Sequence, residues 1–193
     1  MIRISPSIAS CDLLSVKTEL LKIENQYQDL HIDIEDGNFT PNITFGMKMV
    51  RAIRKATSVP FSVHLMVSDP MPYIEEFCHL NSNIIFVHAE SSMYLRRFLN
   101  KIHEHGIKAG IAVNPISDIN QYLCLTDAID AVMYLTTEPD GNNEMFQPTV
   151  ISKMRNFPGK EIWVDGGINE NTIPLLPEYV TTVVMGRAVF QKS

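Results

Sequence analysis

Residues 30–35 read LHIDIE, an unbroken alternation of apolar and polar side chains. A period of two is typical of a β-strand, whose successive side chains point to opposite faces. The three aliphatic side chains share one face, and His31, Asp33 and Glu35 share the other. In a closed barrel of parallel strands the outer face packs on helices. We therefore expect the aliphatic face to point outward and the polar face to point into such a barrel.

Similar runs of β-forming residues recur along the chain at intervals of about 20 to 30 residues. They predict eight strands, at Arg3–Ser7, Leu30–Glu35, Phe61–Met66, Ile84–His88, Ala109–Val113, Ala131–Leu135, Glu161–Val164 and Thr182–Met185. Apolar positions at helical spacing predict helices at Leu13–Asn25, Met47–Ala56, Met71–Cys78, Met93–His105, Ile119–Leu125 and Thr149–Asn156. Eight strands in such alternation favour closure over an open doubly wound sheet, which more often has about five or six. We predict a compact (β/α)8 TIM barrel that spans residues 1–193 as a single domain.

The predicted barrel has a short final part. Pro174 and Pro177 limit the segment Asn171–Tyr179 to about one or two turns of helix, because an interior proline removes a donor and clashes with the preceding turn. The chain stops about one turn after the eighth strand, so we expect the last helix to be missing or curtailed. The apolar groove left there needs cover from the tail Val189–Ser193 or from a partner subunit, and we expect a homo-oligomer.

The composition narrows the function classes. With 16 basic and 22 acidic residues the formal charge is −6, and no basic run exists that could follow a phosphate backbone, which argues against nucleic acid as a partner. No apolar stretch approaches the roughly 20 residues of a membrane span. The three cysteines lack metal-type spacing, so we expect reduced thiols that serve as small buried apolar side chains. These features predict a cytoplasmic protein that acts on a small molecule.

Polar residues at the predicted strand ends form the candidate site. Barrel enzymes place functional groups at the carboxyl ends of their strands, and four such positions hold His31, Asp33, His64 and Asp165. Two imidazoles and two carboxylates suit one divalent ion such as Zn, Mn, Fe or Co. The alternative is a set of polar strand ends that satisfy one another without a metal. His88 also ends a strand, either as part of the wall or as a partner of a ligand.

Glycines follow the last two predicted strands. Gly166 and Gly167 come after the seventh strand, and Gly186 comes after the eighth. Barrels often bind phosphate at these positions, because glycine lets backbone N–H groups approach an oxyanion closely. The same glycines could also serve only to make tight turns.

Five segments together resemble the ribulose-phosphate 3-epimerase family, which includes allulose-6-phosphate epimerases and related paralogues. They are ISPSIAS (4–10), LHIDIEDGNFTPNITFG (30–46), VHLMVSDP (63–70), AGIAVNP (109–115) and WVDGGI (163–168). The resemblance covers nearly the whole chain. It implies a (β/α)8 barrel and a carbohydrate epimerase of the pentose phosphate type.

The resemblance also implies roles for individual residues. His31, Asp33, His64 and Asp165 match the family's metal ligands, and Ser7 matches a serine near the substrate. The implied reaction inverts C3 of a phosphorylated ketose through an enediolate, with Asp33 and Asp165 as two bases on opposite faces of the substrate. The residues predicted to bind substrate are Ser7, His64, Gly166, Gly167, Gly186 and Arg187.

The chain departs from the family pattern at four places, which indicates a divergent paralogue. Glu35 replaces a methionine in strand two, and Arg187 replaces a serine after the glycine that follows strand eight. The loop after strand six reads EPDGNNEMF (138–146) in place of a glycine-rich sequence, and it adds Asp140 and Glu144, which could pair with Arg187. The closing helix is the fourth difference.

We predict a metal-dependent C3 epimerase of a phosphorylated ketose, either ribulose 5-phosphate or a related pentulose or hexulose phosphate. The alternative is a sugar-phosphate-binding or regulatory paralogue that kept the barrel and lost turnover.

Overall fold

The chain folds into a barrel of eight parallel strands, seen in a computed structural model that describes residues 2–23, 25–139 and 145–190. The strands are β1 (Arg3–Pro6), β2 (Leu30–Glu35), β3 (Phe61–Met66), β4 (Ser82–His88), β5 (Lys108–Val113), β6 (Ala131–Leu135), β7 (Glu161–Asp165) and β8 (Thr182–Met185). Neighbours in the sheet follow the order β1-β8-β7-β6-β5-β4-β3-β2. A parallel bridge between Ser7, just after β1, and His31, near the start of β2, joins these two strands and closes the barrel. The predicted fold class is confirmed, and the eight strands lie within two residues of their predicted bounds.

Of the first four helices on the outside of the barrel, the second has its predicted bounds and the other three are shorter than the sequence pattern predicts. The α-helices are α1 (Val16–Ile23), α2 (Met47–Ala56), α3 (Met71–Phe77), α4 (Leu95–His103) and α5 (Arg187–Phe190). The helices predicted at Ile119–Leu125 and Thr149–Asn156 are present as 3-10 helices, at Ile119–Leu125 and Pro148–Lys153. Segments of six or seven residues that begin at a proline or an Asx cap gain little from the longer α-helical ladder. Within the described residues the last helix is the four-residue α5, in agreement with the prediction of a curtailed last helix.

Alternation along the strands separates two apolar layers. Leu30, Ile32 and Ile34 point outward and pack in the large cluster that contains the buried faces of the helices. A second cluster fills the barrel interior, with Trp163 and Phe86 at its centre. Burying large side chains in both layers is the main source of stability in a fold of this kind.

The structure corrects the expectation that all three cysteines are buried. Cys11 is buried as expected, but Cys78 is half-buried and Cys124 is exposed, so only one of the three free thiols acts as a core side chain. Within the described ranges, the helices are too short and too polar for any of them to cross a bilayer.

Candidate metal centre

A cavity of about 650 Å³ opens at the carboxyl ends of the strands. Its lining includes Asp33 on β2, His64 on β3 and Asp165 at the end of β7. Parallel strands end on the same rim of a barrel, so residues far apart in sequence meet at this rim. The cavity is large enough for a small phosphorylated sugar.

Four of the predicted site residues converge on one point. His31, Asp33, His64 and Asp165 each offer a ligand atom, and these atoms lie within 4.8 Å of one another. Asp33 Oδ1 lies 3.3 Å from His31 Nε2 and 3.2 Å from His64 Nδ1. Asp165 Oδ2 lies 3.7 Å from the same His64 nitrogen. The strands thus bring the two imidazoles and two carboxylates together.

His31 Nε2 is the clearest test of whether these residues fit a metal ion. The His31 ring is fully buried, and Asp33 Oδ1 approaches Nε2 to 3.3 Å, yet within the described part of the chain no well-aligned hydrogen bond satisfies this nitrogen. An unpaired buried polar atom costs about 1 to 3 kcal/mol, so native proteins rarely retain one without a purpose. A nitrogen lone pair that faces two carboxylates and a second imidazole fits the donor set of a divalent transition metal.

Charge coupling within the cluster is strong. Burial alone would raise the pKa of Asp33, but the imidazoles of His31 and His64 hold it well below its usual range. Burial alone would lower the pKa of His64, but Asp165 and Asp33 raise it to about 9. Without a metal, the His64 ring is therefore the cation that balances these two carboxylates near neutral pH.

Ser7 adds a short contact to this cluster. Its hydroxyl donates a hydrogen bond of 2.5 Å to Asp33 Oδ2, the oxygen that does not face the histidines. The bridge between Ser7 and His31 holds the serine backbone in place. Ser7 therefore orients the Asp33 carboxylate at the cavity wall.

The turn after β7 requires glycine at two successive positions. Gly166 has φ +109°, and a Cβ there would lie 2.6 Å from Thr137 Oγ1 and 2.7 Å from Thr137 N. Gly167 has φ +64°, and a Cβ there would lie 2.7 Å from Phe146 N. The loop after β6 thus packs directly on this turn, and both glycines line the cavity beside Asp165. Because Gly166 and Gly167 have no side chain, Thr137 and Phe146 can pack closely against them and their backbone stays open to the cavity.

The residues that depart from the family pattern also surround the cavity. Glu35 is buried and accepts a hydrogen bond of 2.6 Å from Asn42 Nδ2 in the loop after β2. Gly186 and the exposed Arg187 line the cavity after β8. Asp140 and Glu144 lie outside the described residues, so the alternative that they pair with Arg187 is not tested.

Sequence reasoning left out several polar residues behind the site. Ser62 lies 2.9 Å from His31 Nδ1, and Glu90 lies 3.0 Å from His88 Nδ1. His88 itself lies 2.8 Å from His64, which makes it a partner of a candidate ligand. The available signals were a serine at an inward position of β3 and an acid two residues after a strand-end histidine.

The fold and the rim location of the polar cluster define a (β/α)8-barrel enzyme. Solved structures with a similar fold include mutant tryptophan synthase alpha-subunits from Pyrococcus furiosus. One has a TM-score of 0.69 at 15% identity and covers 98% of this chain and 88% of that chain. Another has a TM-score of 0.70 at 16% identity and covers 100% of this chain and 93% of that chain. At this identity the likeness concerns the fold alone.

The profile of the ribulose-phosphate 3 epimerase family matches residues 3–190. Ribulose-phosphate 3-epimerase of Bacillus subtilis is 36% identical and covers 100% of this chain and 94% of its own length. Ribulose-phosphate 3-epimerase of Synechocystis is 34% identical, with 97% of this chain and 86% of its own length covered. The chain belongs to the ribulose-phosphate 3-epimerase family, and the predicted membership of a family of carbohydrate epimerases is confirmed.

Proposed function

We propose that this protein is a divalent-metal-dependent epimerase that inverts C3 of a phosphorylated ketose, with ribulose 5-phosphate as the first candidate substrate. Its family membership supports an epimerase of a pentose phosphate. The observation that carries the metal requirement is the convergence of four ligand atoms within 4.8 Å, one of them the unpaired and buried His31 Nε2. Zn, Mn, Fe and Co all suit this donor set.

His31, Asp33, His64 and Asp165 would hold the ion. When bound, the ion supplies positive charge that stabilises the negative charge developing on the substrate oxygens as C3 loses its proton. To bind the ion, His64 gives up the Nδ1 proton that it carries between Asp33 and Asp165. The double positive charge of the ion then replaces the single positive charge of the protonated ring.

Asp33 and Asp165 are the proposed bases. They come from β2 and β7, strands that are not neighbours in the sheet, so their carboxylates approach a bound sugar from different directions. One carboxylate removes the C3 proton and the other returns a proton to the opposite face, which inverts the carbon. The hydrogen bond from Ser7 leaves Asp33 Oδ1 as the oxygen that faces the site.

The phosphate end of the substrate is proposed to lie at the rim formed by Gly166, Gly167, Gly186 and Arg187. All four residues line the same cavity as the two aspartates. Backbone N–H groups at glycine turns and a guanidinium are suitable donors to a phosphate dianion. Arg187 would thus supply recognition that a glycine-rich loop supplies in other members of the family.

The protein is also proposed to be a homo-oligomer. Leu14, just before α1, and Leu21, on α1, are 98% and 64% exposed. Apolar side chains of this size are often covered by a second subunit. A twofold dimer is the simplest arrangement.

Metal analysis combined with a panel of ketose phosphates tests the proposed function. The purified protein should hold close to one divalent ion per chain and should convert ribulose 5-phosphate, or a related pentulose or hexulose phosphate, into its C3 epimer. A protein that binds these sugars but inverts none of them would instead be a binding or regulatory paralogue.

A further inference from the structure

Two hydrogen-bonded chains run from His64 Nε2 and His31 Nδ1 to carboxylates, one half-buried (Glu90) and one buried (Asp29). The first passes from His64 Nε2 to His88 Nε2 over 2.8 Å and from His88 Nδ1 to Glu90 Oε2 over 3.0 Å. Glu90 is fixed in turn, because its Oε1 accepts the backbone N–H of Asn114 at 2.8 Å. His64 and His88 are almost completely buried, so water cannot replace these contacts.

The second chain runs through the interior of the barrel. His31 Nδ1 lies 2.9 Å from Ser62 Oγ, and Ser62 Oγ lies 2.8 Å from Ser5 Oγ. The Ser5 hydroxyl donates to Asp29 Oδ1 in a short hydrogen bond. All four side chains are buried, with Asp29 1% exposed at the far end.

The carboxylates set the direction of every hydrogen bond in these chains. An ionised carboxylate only accepts, so His88 must carry its proton on Nδ1 to donate to Glu90. Neutral His88 then accepts at Nε2, and His64 must donate from its own Nε2. That arrangement reserves the lone pair of His64 Nδ1 for a ligand, the atom that faces Asp33 and Asp165.

The hydrogen bonds that end on Asp29 also have a fixed direction. Because Ser5 gives its only hydroxyl proton to Asp29, it must accept the hydroxyl proton of Ser62. Ser62 then accepts from His31 Nδ1–H, and the lone pair of His31 remains on Nε2. This is the nitrogen that is buried without a partner in the described structure.

We propose that Glu90 and Asp29 are positioning residues that fix which nitrogen of each histidine is presented to the ion: Nδ1 of His64 and Nε2 of His31. This inference rests on the proposed metal site and adds to it the reason that two histidines present different nitrogens. Neither carboxylate touches the substrate cavity. Their contribution acts through the orientation and basicity of the ligands.

Zinc binding to metal-free protein tests this assignment. Glu90→Gln and Asp29→Asn keep the shape of each side chain but add an amide donor, which permits the reversed hydrogen-bond order. Each variant should bind zinc roughly 10- to 100-fold more weakly than wild type in competition with a chromogenic chelator. Asp130→Asn is the matched control, because Asp130 accepts from His103 Nε2 at 2.7 Å on the protein surface. That variant should bind zinc like wild type.

A second measurement does not depend on how the variants fold. Long-range ¹H–¹⁵N spectra of the metal-free wild-type protein should show His88 protonated on Nδ1 and unprotonated on Nε2. A His88 proton on Nε2 would overturn the inference. If both variants bind zinc as tightly as the wild-type protein does, the inference is overturned and the proposed function stands. A wild-type protein that binds no divalent ion would overturn the proposed function and this inference together.

Discussion

Replacing Asp165 by asparagine should separate the chemistry of the site from its stability. The Asp165 side chain is 20% exposed and makes a long contact of 3.7 Å with His64 Nδ1. Its backbone carbonyl accepts two hydrogen bonds from Thr136, at 2.7 and 2.9 Å, and the substitution leaves them intact. Because His64 is buried, this contact is worth more than the about 0 to 1 kcal/mol of a surface pair, but Asp33 Oδ1 stays 3.2 Å from the ring and still balances its charge. We therefore expect the free energy of unfolding to fall by about 1 to 3 kcal/mol.

The effect on the reaction should be far larger. Asparagine cannot accept or return a proton, and a positioned base contributes about 10² to 10⁴ in rate, or about 2.7 to 5.4 kcal/mol of barrier. Inversion at C3 should fall by at least this factor in a coupled assay of ribulose 5-phosphate epimerisation. Asp127→Asn, which removes an exposed carboxylate paired with Arg96, is the control and should invert normally. Near-normal inversion by Asp165→Asn would refute the two-base mechanism.

Three further predictions concern the turn after β7, the phosphate end of the cavity and a buried thiol. Gly166→Ala should lower the free energy of unfolding, measured in urea, by about 1 to 3 kcal/mol more than Gly159→Ala does. Both positions have positive φ, but only a Cβ at Gly166 would clash, with Thr137. Equal losses in the two variants would contradict this packing. Arg187→Ala should weaken binding of a phosphorylated ketose by about 1.5 to 3 kcal/mol in calorimetry and leave the unphosphorylated sugar unaffected; unchanged phosphate discrimination would show that Arg187 has another role. Burial raises the pKa of Cys11 to about 11 from 9.0, so its alkylation at pH 7.5 should be about a hundredfold slower than that of an ordinary thiol and should accelerate about tenfold per pH unit up to pH 10. Mass spectrometry should find the exposed Cys124 labelled first, and equal labelling rates would contradict a neutral, buried Cys11.

Local alternation was sufficient to predict the barrel and the composition of the candidate cluster. In LHIDIE the period of two assigns each side chain to a face, and the structure has Ile32 in the outer layer and His31 inside. Parallel strands then bring the ends of β2, β3 and β7 to one rim, whatever the loops between them do. Candidate ligands could therefore be found from the inward polar positions of these strands.

The hydrogen-bonded partners behind the cluster could not be found in this way. Ser5, Ser62 and Asp29 meet because β1 and β3 flank β2 in the closed barrel, and the register between strands is not written in any one of them. Helix type was equally inaccessible at Ile119–Leu125, because a short apolar segment satisfies both α and 3-10 spacing and tertiary packing decides between them.

Solvent-hydrogen incorporation is the most direct test of the claim that this cluster is a metal-dependent epimerase site. Ribulose 5-phosphate should be incubated in D₂O with the metal-loaded protein and followed by proton NMR. We expect the C3 proton signal to disappear as the C3 epimer appears, both changes to stop after a chelator removes the metal, and both to return when a divalent ion is restored. Inversion that persists at full rate in the chelated, metal-free protein would contradict metal-dependent catalysis at this cluster.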